Sequence, residues 1–162
     1  MRILCSSKPC LRPMTEIDLH AVATVESTAH IYPWSRKILQ DCLRANYICW
    51  LWQVDCHIVG HGIMSVGAGE CNILNLCTHP SWQGQGLGRN MLRHLLQLGI
   101  DHHADMAFLE VMVSNTNAIT LYRQEGFNEV GIRRGYYQNA NGQDDAIVLA
   151  KNLLSTGKFV II

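Results

Sequence analysis

The feature that most restricts how this chain can fold is a glycine-rich loop in the middle of the sequence. The loop consists of Gln83, Gly84, Gln85, Gly86, Leu87 and Gly88. It follows residues 71–78, which predict a strand, and it opens residues 86–102, which predict an amphipathic helix. Glycines let a backbone approach a ligand closely, and the first amides of a helix have no partner within it. The loop therefore indicates a pyrophosphate site, although a plain helix-capping loop has the same pattern.

Two other nucleotide-binding loops do not fit these residues. A Walker loop ends in Gly-Lys-Ser/Thr, whereas Gly88 is followed by Arg89 and Asn90. A dinucleotide fingerprint needs a third glycine and belongs to the first turn of a parallel βαβ unit. Here that glycine is missing, and the loop lies halfway along the chain.

Two helices are predicted before the loop. Thr15 can cap the first, over residues 16–28, and Ser35 can cap the second, which runs to about Ala45. Periodicity predicts an inward face for each helix, formed in the first by Ile17, Ala21 and Val25 and in the second by Ile38, Cys42 and Leu43.

The remaining segments predict a sheet. Strands are expected at residues 47–54, 58–66, 71–78, 106–113, 127–133 and 145–149, the last two around a polar loop. A helix over residues 116–125 has Asn115 as its cap and Gly126 as its stop. This order predicts a mixed α/β fold around one central sheet, and the 162 residues fit a single domain, residues 1–162.

Composition narrows the classes of function. Lys+Arg and Asp+Glu both total 13, so no nucleic-acid partner is expected. No stretch approaches the roughly 18 apolar residues that span a bilayer, so no membrane association is expected. The seven cysteines form no Cys-x-x-Cys pair, which predicts reduced, mostly buried thiols and a cytoplasmic location. No His/Cys spacing matches a zinc site, so no metal is expected.

The loop and its surroundings resemble the GNAT acetyltransferase superfamily. The coenzyme A motif of that family, Gln/Arg-x-x-Gly-x-Gly/Ala, corresponds to Gln83, Gly86 and Gly88. The family's Asn-x-x-Ala-x-x-x-Tyr, with Gly-Phe shortly after, corresponds to Asn115, Ala118, Tyr122, Gly126 and Phe127. Residues 30–35, 109–111, 132–137 and 144–146 are similar to the bacterial ribosomal-protein-alanine N-acetyltransferases. The core of the resemblance is about residues 12–150, and the tail 153–162 lies outside it.

The resemblance implies a GNAT fold, with a central, mostly antiparallel sheet and flanking helices, and acetyl-CoA as the acetyl donor. It implies that the backbone of Leu76, Cys77 and Thr78 holds the acetyl and pantetheine end. It implies a pyrophosphate cradle formed by Gly84, Gln85, Gly86, Leu87, Gly88 and Arg89, and a pantetheine contact from Asn115. Gly84 stands where an arginine is common, which removes one side-chain contact to phosphate.

The resemblance also implies a general base, Glu110, and a general acid, Tyr122. Tyr32 and Trp34 are expected on one wall of a peptide cleft, and Tyr136 and Tyr137 on the other. Arg133 and Arg134 beside these tyrosines could stack RNA bases, but the charge balance favours the peptide wall. The expected partner is the alanine-starting N-terminus of a small-subunit ribosomal protein.

The chemistry of the amine agrees with these roles. An α-amine has a pKa of about 7.7–8.0 and a lysine amine one of about 10.4, so near neutral pH an α-amine needs only a mild base. Glu110 could instead be a solvated strand residue, and Tyr122 could belong to the core. Cys77 near the thioester leaves a thiol-acyl intermediate conceivable.

Two rival functions stay open at this point. The first is an acetyltransferase with broader peptide or lysine substrates. The second is a coenzyme-A-binding module without activity that partners another protein. The presence of both Glu110 and Tyr122 argues against the second rival.

Overall fold

A computed structural model of the chain describes residues 8–139 and 142–154. The predicted tail, residues 153–162, lies outside the described residues beyond Leu154. Within the described part, no helix is long and apolar enough to cross a membrane. The predictions of a single domain and of no nucleic-acid partner remain predictions.

The described residues form four α-helices and one mixed sheet of seven strands. The helices are α1 (Leu19–Ala29), α2 (Arg36–Arg44), α3 (Leu87–Asp101) and α4 (Thr116–Gln124). The strands are β1 (Cys10–Pro13), β2 (Ile48–Val54), β3 (His57–Gly67), β4 (Glu70–Thr78), β5 (Met106–Met112), β6 (Asn128–Asn139) and β7 (Gly142–Asn152). Their order in the sheet is β1-β2-β3-β4-β5-β7-β6. Strands β4 and β5 pair in parallel, whereas β1–β2, β2–β3, β5–β7 and β6–β7 pair antiparallel. The predicted mixed, mostly antiparallel sheet is therefore confirmed.

The chain divides into two compact units. The first comprises Met1–Met64 and Asn75–Leu95, and the second comprises Ser65–Leu74 and Leu96–Ile162. In the first unit, α1 and α2 bury an apolar cluster formed by Met14, Leu19, Val22, Leu39, Cys42, Cys49, Leu51 and Ile63. In the second unit, the buried side chains include Ala107, Leu109, Val111, Ile119, Phe127 and Leu149.

Helix α3 lies close to β3 in the first unit because β3 carries a glycine at the point of contact. A Cβ on Gly62 would lie 2.7 Å from Met91 Cγ and 2.8 Å from Leu95 Cδ1. Such distances are shorter than a carbon–carbon contact allows. The missing side chain therefore lets the apolar face of α3 pack directly on the strand, and this contact positions the start of the helix.

The predicted inward faces of the first two helices are only partly confirmed, because Val25 is buried as predicted whereas Ile17, Ala21 and Ile38 are exposed. Ile17 is 94% exposed and Ala21 is also exposed, whereas Leu19 and Val22 are fully buried. The reason is that residues 16–18 form a 3-10 turn and the α-helix begins only at Leu19, which shifts the buried face.

The same error occurs in α2, although its predicted cap is confirmed. The Ser35 hydroxyl accepts the N–H of Ile38, as predicted for a cap. However, Ile38 is 43% exposed, and the side chain that enters the core is its neighbour Leu39. Cys42 is buried as predicted.

Two further differences concern the strands. Strand β1 has no counterpart in the prediction because a four-residue strand is too short for a periodic signal. The predicted polar loop between the last two strands is largely an extension of the hairpin, with Tyr137 paired to Asp144 and Asn139 paired to Gly142. A shift in the pairing register between Arg133 and Tyr137 interrupts the alternation of apolar and polar residues from which the longer strands could have been predicted.

The described cysteines are free thiols, as predicted. Cys42, Cys49, Cys71 and Cys77 are buried, whereas Cys10 and Cys56 are exposed. Burial raises the pKa of Cys49 to about 12 and that of Cys71 to about 11, so these thiols stay protonated and unreactive. A cytoplasmic location remains a prediction.

A stability prediction follows from Asp18, which closes the turn before α1. Its carboxylate accepts the N–H of Thr15 at 2.9 Å and two bonds at 2.8 Å from the guanidinium of Arg12. The bond from Arg12 is the main cause that lowers the pKa of Asp18 to about 2. We expect Asp18→Asn to reduce the free energy of unfolding at pH 7 by about 1–2 kcal/mol.

The pH dependence has a definite sign because the pKa of Asp18 is depressed in the folded protein. The stabilisation is fully present above about pH 4 and is lost as the pH falls toward about 2. Urea unfolding at several pH values checks this. Asp41→Asn, in an exposed pair with Lys37, is the control and should change stability by less than about 0.5 kcal/mol. An Asp18→Asn deficit that persists unchanged near pH 2 would contradict the assignment.

Candidate active site

The glycine loop turns through the left-handed region of backbone conformation. Gly84 has a φ of 76° and Gly86 one of 82°, values that side chains with a Cβ disfavour. A Cβ at either position would meet nothing within 4 Å, so backbone conformation rather than crowding requires glycine here. Helix α3 then begins at Leu87, and its first α-helical bond runs from Asn90 N–H to the carbonyl of Gly86 at 3.0 Å.

Both ends of the loop are fastened within the first unit. The side-chain Nε2 of Gln83 donates to the carbonyl of Thr78 at 3.0 Å, which links two residues predicted to contact the coenzyme. The indole N–H of Trp52 donates to the carbonyl of Leu87 at 3.0 Å, and this bond is buried. The amides of Leu87, Gly88 and Arg89 open the helix and carry the positive end of its dipole. The arrangement can hold an anion at this helix end.

Leu76, Cys77 and Thr78 form the end of β4. The pairing of β4 with β5 covers Glu70 to Ile73, so these three residues lie beyond it. The side chain of Cys77 is buried, with its thiol 3.9 Å from the carbonyl of Val25. Burial raises the pKa of the Cys77 thiol far above its ordinary range. A buried, protonated thiol is a poor nucleophile, which argues against the thiol-acyl intermediate.

A buried polar cluster beside these residues was missed by the sequence reasoning. Glu26 on α1 is 1% exposed and accepts bonds from His61 on β3 and from Asn75 on β4. The available signal was a charged residue on the apolar face that begins with Leu19 and Val22. The predicted face ran through Ile17, Ala21 and Val25 and did not include Glu26, so this residue went unnoticed.

Glu26 also belongs to a second group of residues that has the composition of a metal site. Glu26, His30 and Cys77 each place one ligand atom within 4.8 Å of the other two. However, both oxygens of Glu26 already accept hydrogen bonds, and the raised pKa of Cys77 disfavours the thiolate that a metal needs. These residues therefore fit a hydrogen-bonded cluster better than a metal centre. The expectation of no metal remains a prediction.

In the second unit, Glu110 lies on the half-buried face of β5. The strand alternates, with Leu109 and Val111 buried and Glu110 pointing to the opposite face, where its side chain is 23% exposed. Its carboxylate forms an ion pair with Arg133 at 2.9 Å. A hydrogen bond to Glu110 is also the main cause that raises the pKa of Tyr136.

Aromatic residues surround this carboxylate. The rings of Tyr136 and Tyr137 lie 5.0 Å apart, edge to face, and the guanidinium of Arg133 lies 5.7 Å from the centre of the Tyr136 ring. Burial, followed by the charge effects of Tyr136 and Glu110, raises the pKa of Tyr137 to about 12. The fold thus brings together the predicted base and both tyrosines predicted for the peptide wall.

Tyr122 on α4 faces the interior of the second unit. It is 8% exposed, and its ring lies 6.0 Å from that of Phe127, edge to face. Burial, and secondarily the phenol of Tyr137, raises the pKa of Tyr122 far above its ordinary value. Asn115 caps the same helix, its side chain accepting the N–H of Ala118 at 3.3 Å as predicted. A pantetheine contact from Asn115 remains a prediction.

Tyr32 and Trp34 belong to the segment between α1 and α2 in the first unit, and both are half-buried. Trp34 packs against the apolar cluster of that unit, so its side chain has a structural role there. The predicted cleft between these residues and Tyr136 and Tyr137 remains a prediction.

The fold and the glycine loop define an acetyl-CoA-dependent N-acetyltransferase. The chain belongs to the acetyltransferase (GNAT) family, whose model matches residues 16–127. It is 36% identical to the [ribosomal protein bS18]-alanine N-acetyltransferase of Escherichia coli strain K12 over 133 residues, which are 82% of this chain and 90% of that protein.

Solved structures agree with this assignment. The ribosomal-protein-S18-alanine N-acetyltransferase from Escherichia coli superposes with a TM-score of 0.85 and 32% identity, covering 96% of this chain and 100% of that one. The acetyltransferase yncA from Salmonella typhimurium, solved with its cofactor acetyl-CoA, has a TM-score of 0.76 and 14% identity, covering 90% of this chain and 94% of that one. The second likeness concerns the fold alone.

The loop geometry predicts the effect of a charge at Gly86. Gly86→Glu places a side chain on a left-handed residue and a negative charge where phosphates would approach, so we expect acetyl-CoA binding to be lost. Isothermal titration calorimetry on the folded variant measures this. Gly67→Glu is the matched control, because it adds the same charge at a glycine whose φ is not positive. An unchanged affinity in Gly86→Glu would refute the loop assignment.

Proposed function

We propose that this chain acetylates the α-amine of an alanine-starting ribosomal protein of the small subunit, by direct transfer from acetyl-CoA. The observation that carries the proposal is the 36% identity to [ribosomal protein bS18]-alanine N-acetyltransferases, over 82% of this chain and 90% of the relative. The setting of Glu110 among Arg133, Tyr136 and Tyr137 supports it, since a partly exposed carboxylate beside aromatic rings suits a peptide amine.

Glu110 acts in this proposal as the general base. An incoming α-amine near neutral pH is already partly unprotonated, so a carboxylate working through a water is a sufficient acceptor. Arg133 holds the carboxylate at 2.9 Å, and Tyr136 hydrogen-bonds to it. These two contacts orient the carboxylate on the exposed face of β5 and exchange for the water or the amine when the peptide binds.

Attack of the amine on the thioester gives an oxyanion and then expels the coenzyme A thiolate. Amides at the end of β4, at Leu76, Cys77 and Thr78, are the proposed partners of the oxyanion. Gln83 supports this segment through its bond to the Thr78 carbonyl.

Tyr122 is the proposed general acid, which donates its phenol proton or a hydrogen bond to the leaving sulfur of coenzyme A. Its raised pKa keeps the phenol protonated throughout the physiological range, so it is always ready to donate. A thiol has a reference pKa of about 8.5, so complete proton transfer from a phenol this weakly acidic is uphill. Tyr122 therefore first donates a hydrogen bond that stabilises the thiolate. If its proton is transferred, the transfer occurs while the carbon–sulfur bond breaks.

The role of Glu110 predicts a specific kinetic change. Glu110→Gln keeps the shape of the side chain but removes its basicity, so kcat should fall by roughly 10²–10⁴. The defect should shrink toward pH 9, because the amine then deprotonates unaided. Rates from pH 6 to 9 on an alanine-starting peptide measure this. Glu129→Gln, on the partly exposed Glu129 paired with Arg123, is the control and should keep the wild-type rate. A wild-type pH profile in Glu110→Gln would show that Glu110 is not the base.

The substrate itself is tested with peptides that differ only at their first residue. Alanine-starting peptides should be acetylated best, serine- and glycine-starting peptides less well, and leucine- or phenylalanine-starting peptides hardly at all. The preference over glycine should be modest, since one methyl group is worth only about 1–3 kcal/mol. The measurement is kcat/KM for each peptide.

A blocked peptide with an internal lysine distinguishes the broader-substrate rival. If its kcat/KM equals that of the alanine-starting peptide, the N-terminal assignment fails and the rival replaces it. Absence of turnover on all peptides, with acetyl-CoA still bound, would favour the module without activity.

A further inference from the structure

A single buried carboxylate gathers three separate segments of the first unit. Glu26 Oε1 accepts the backbone N–H of Trp34 at 3.0 Å and the amide of Asn75 at 3.1 Å. Glu26 Oε2 accepts the same amide at 3.1 Å and lies 2.9 Å from His61 Nε2. His30, on the turn after α1, lies 3.9 Å from the same oxygen.

Such a group is expensive to bury, and its surroundings show that it is buried as an anion. Taking a carboxylate out of water costs several kcal/mol unless hydrogen bonds replace the lost hydration. Burial opposes the ionisation of Glu26, yet the bond from His61 and the charge effects of His30 and His61 outweigh it, so the pKa of Glu26 lies below its ordinary value. Hydrogen bonds that are donated to an anion are roughly twice as strong as those between neutral groups.

Two of the segments that Glu26 connects, the α1–α2 segment and the end of β4, are expected to contact the substrates. Trp34 and Tyr32 belong to the α1–α2 segment, which is expected to form one wall of the peptide cleft. Asn75 comes directly before Leu76, the first of the three residues proposed to hold the acetyl end. The carboxylate therefore connects the backbone of the peptide-facing segment to the strand that presents the thioester.

Nothing in the proposed reaction requires a charge at this position. Glu26 is 1% exposed, so it cannot meet the peptide or the coenzyme directly. A core of similar volume could be apolar at lower cost, because replacing buried ionic groups by packed apolar ones is often neutral or stabilising. The retained charge is explained if the orientation of the Trp34 amide matters, because the Glu26 anion fixes the direction in which that N–H points.

We propose that Glu26 is a positioning residue that fixes the Trp34 backbone against β4 and so determines the preference for a small first residue. The inference rests on the proposed function for its substrate. Its structural part, the restraint of the Trp34 amide by the carboxylate, is measurable without any substrate.

The test is Glu26→Gln, which keeps the volume but removes the charge and replaces one of the two acceptor oxygens by an NH2 group. Oε1 faces the donors of Trp34 and Asn75, and Oε2 faces those of Asn75 and His61. Hydrogen exchange of the Trp34 amide, followed by NMR, should accelerate by at least roughly tenfold. The ratio of kcat/KM for alanine- against leucine-starting peptides should fall by roughly tenfold, mainly through KM for the alanine peptide. Acetyl-CoA affinity should change by less than about twofold, because the bonds that fasten the glycine loop join Trp52 to Leu87 and Gln83 to Thr78 and do not involve Glu26.

Val22→Ala is the matched control for a stability effect. Val22 lies on the same helix, is fully buried and packs in the apolar cluster. It should lower the melting temperature but keep the wild-type exchange rate at Trp34 and the wild-type peptide ratio. If Glu26→Gln behaves like Val22→Ala, with a lower melting temperature and no change in either readout, the positioning role is overturned.

A second pair of variants keeps the test available if Glu26→Gln does not fold. His61→Gln retains a donor for the carboxylate, whereas His61→Leu removes it. The leucine variant should accelerate Trp34 exchange and reduce the peptide ratio, and the glutamine variant should restore both. Equal behaviour of the two variants overturns the proposal. If the wild-type protein acetylates no alanine-starting peptide, the proposed function fails, while Trp34 exchange still decides whether Glu26 restrains the segment.

Discussion

The close packing of α3 on β3 is the contact on which the candidate coenzyme site depends. Because Gly62 has no side chain, Met91 and Leu95 occupy the space where a Cβ would lie, and the helix is set directly on the strand. That contact, with the buried bond from Trp52 to the carbonyl of Leu87, determines where the first helical amides lie. The glycines with positive φ before the helix then form the turn that leads the chain from the end of β4 to the start of α3.

The carboxylates of Glu26 and Glu110 show that the surroundings of a chemical group decide what it can do. Glu26 is 1% exposed and its carboxylate accepts hydrogen bonds from Trp34, His61 and Asn75 of its own unit, so its role is to organise structure. Glu110 is 23% exposed and contacts Arg133 and Tyr136, both of which also reach solvent. Only a group that solvent can reach is able to exchange a protein partner for a water or an amine.

Sequence patterns correctly predicted features that depend on interactions between residues close together in the chain. The caps at Ser35 and Asn115 are local hydrogen bonds, and both are confirmed. The start of the buried face of the first helix was misplaced at Ile17 and Ala21, because the 3-10 turn before Leu19 shifts the phase and periodicity cannot detect such a turn. The hairpin of β6 and β7 extended beyond its prediction, because pairing such as Tyr137 with Asp144 stabilises polar residues that have weak strand signals.

By itself, the sequence determined the order of the four helices and of the strands after β1, and it determined the glycine loop at the start of α3, because spacing along the chain carries these features. It also singled out Glu110 and Tyr122, whose roles remain proposals. Tertiary structure alone decided which groups meet. Arg133 reaches Glu110 although the two are far apart in sequence, and Glu26 meets His61 and Asn75 through the pairing of strands. It also decided that Cys77 and Tyr122 are buried, which raises the pKa of both groups. Desolvation depends on what surrounds a group in space, and no local pattern encodes that.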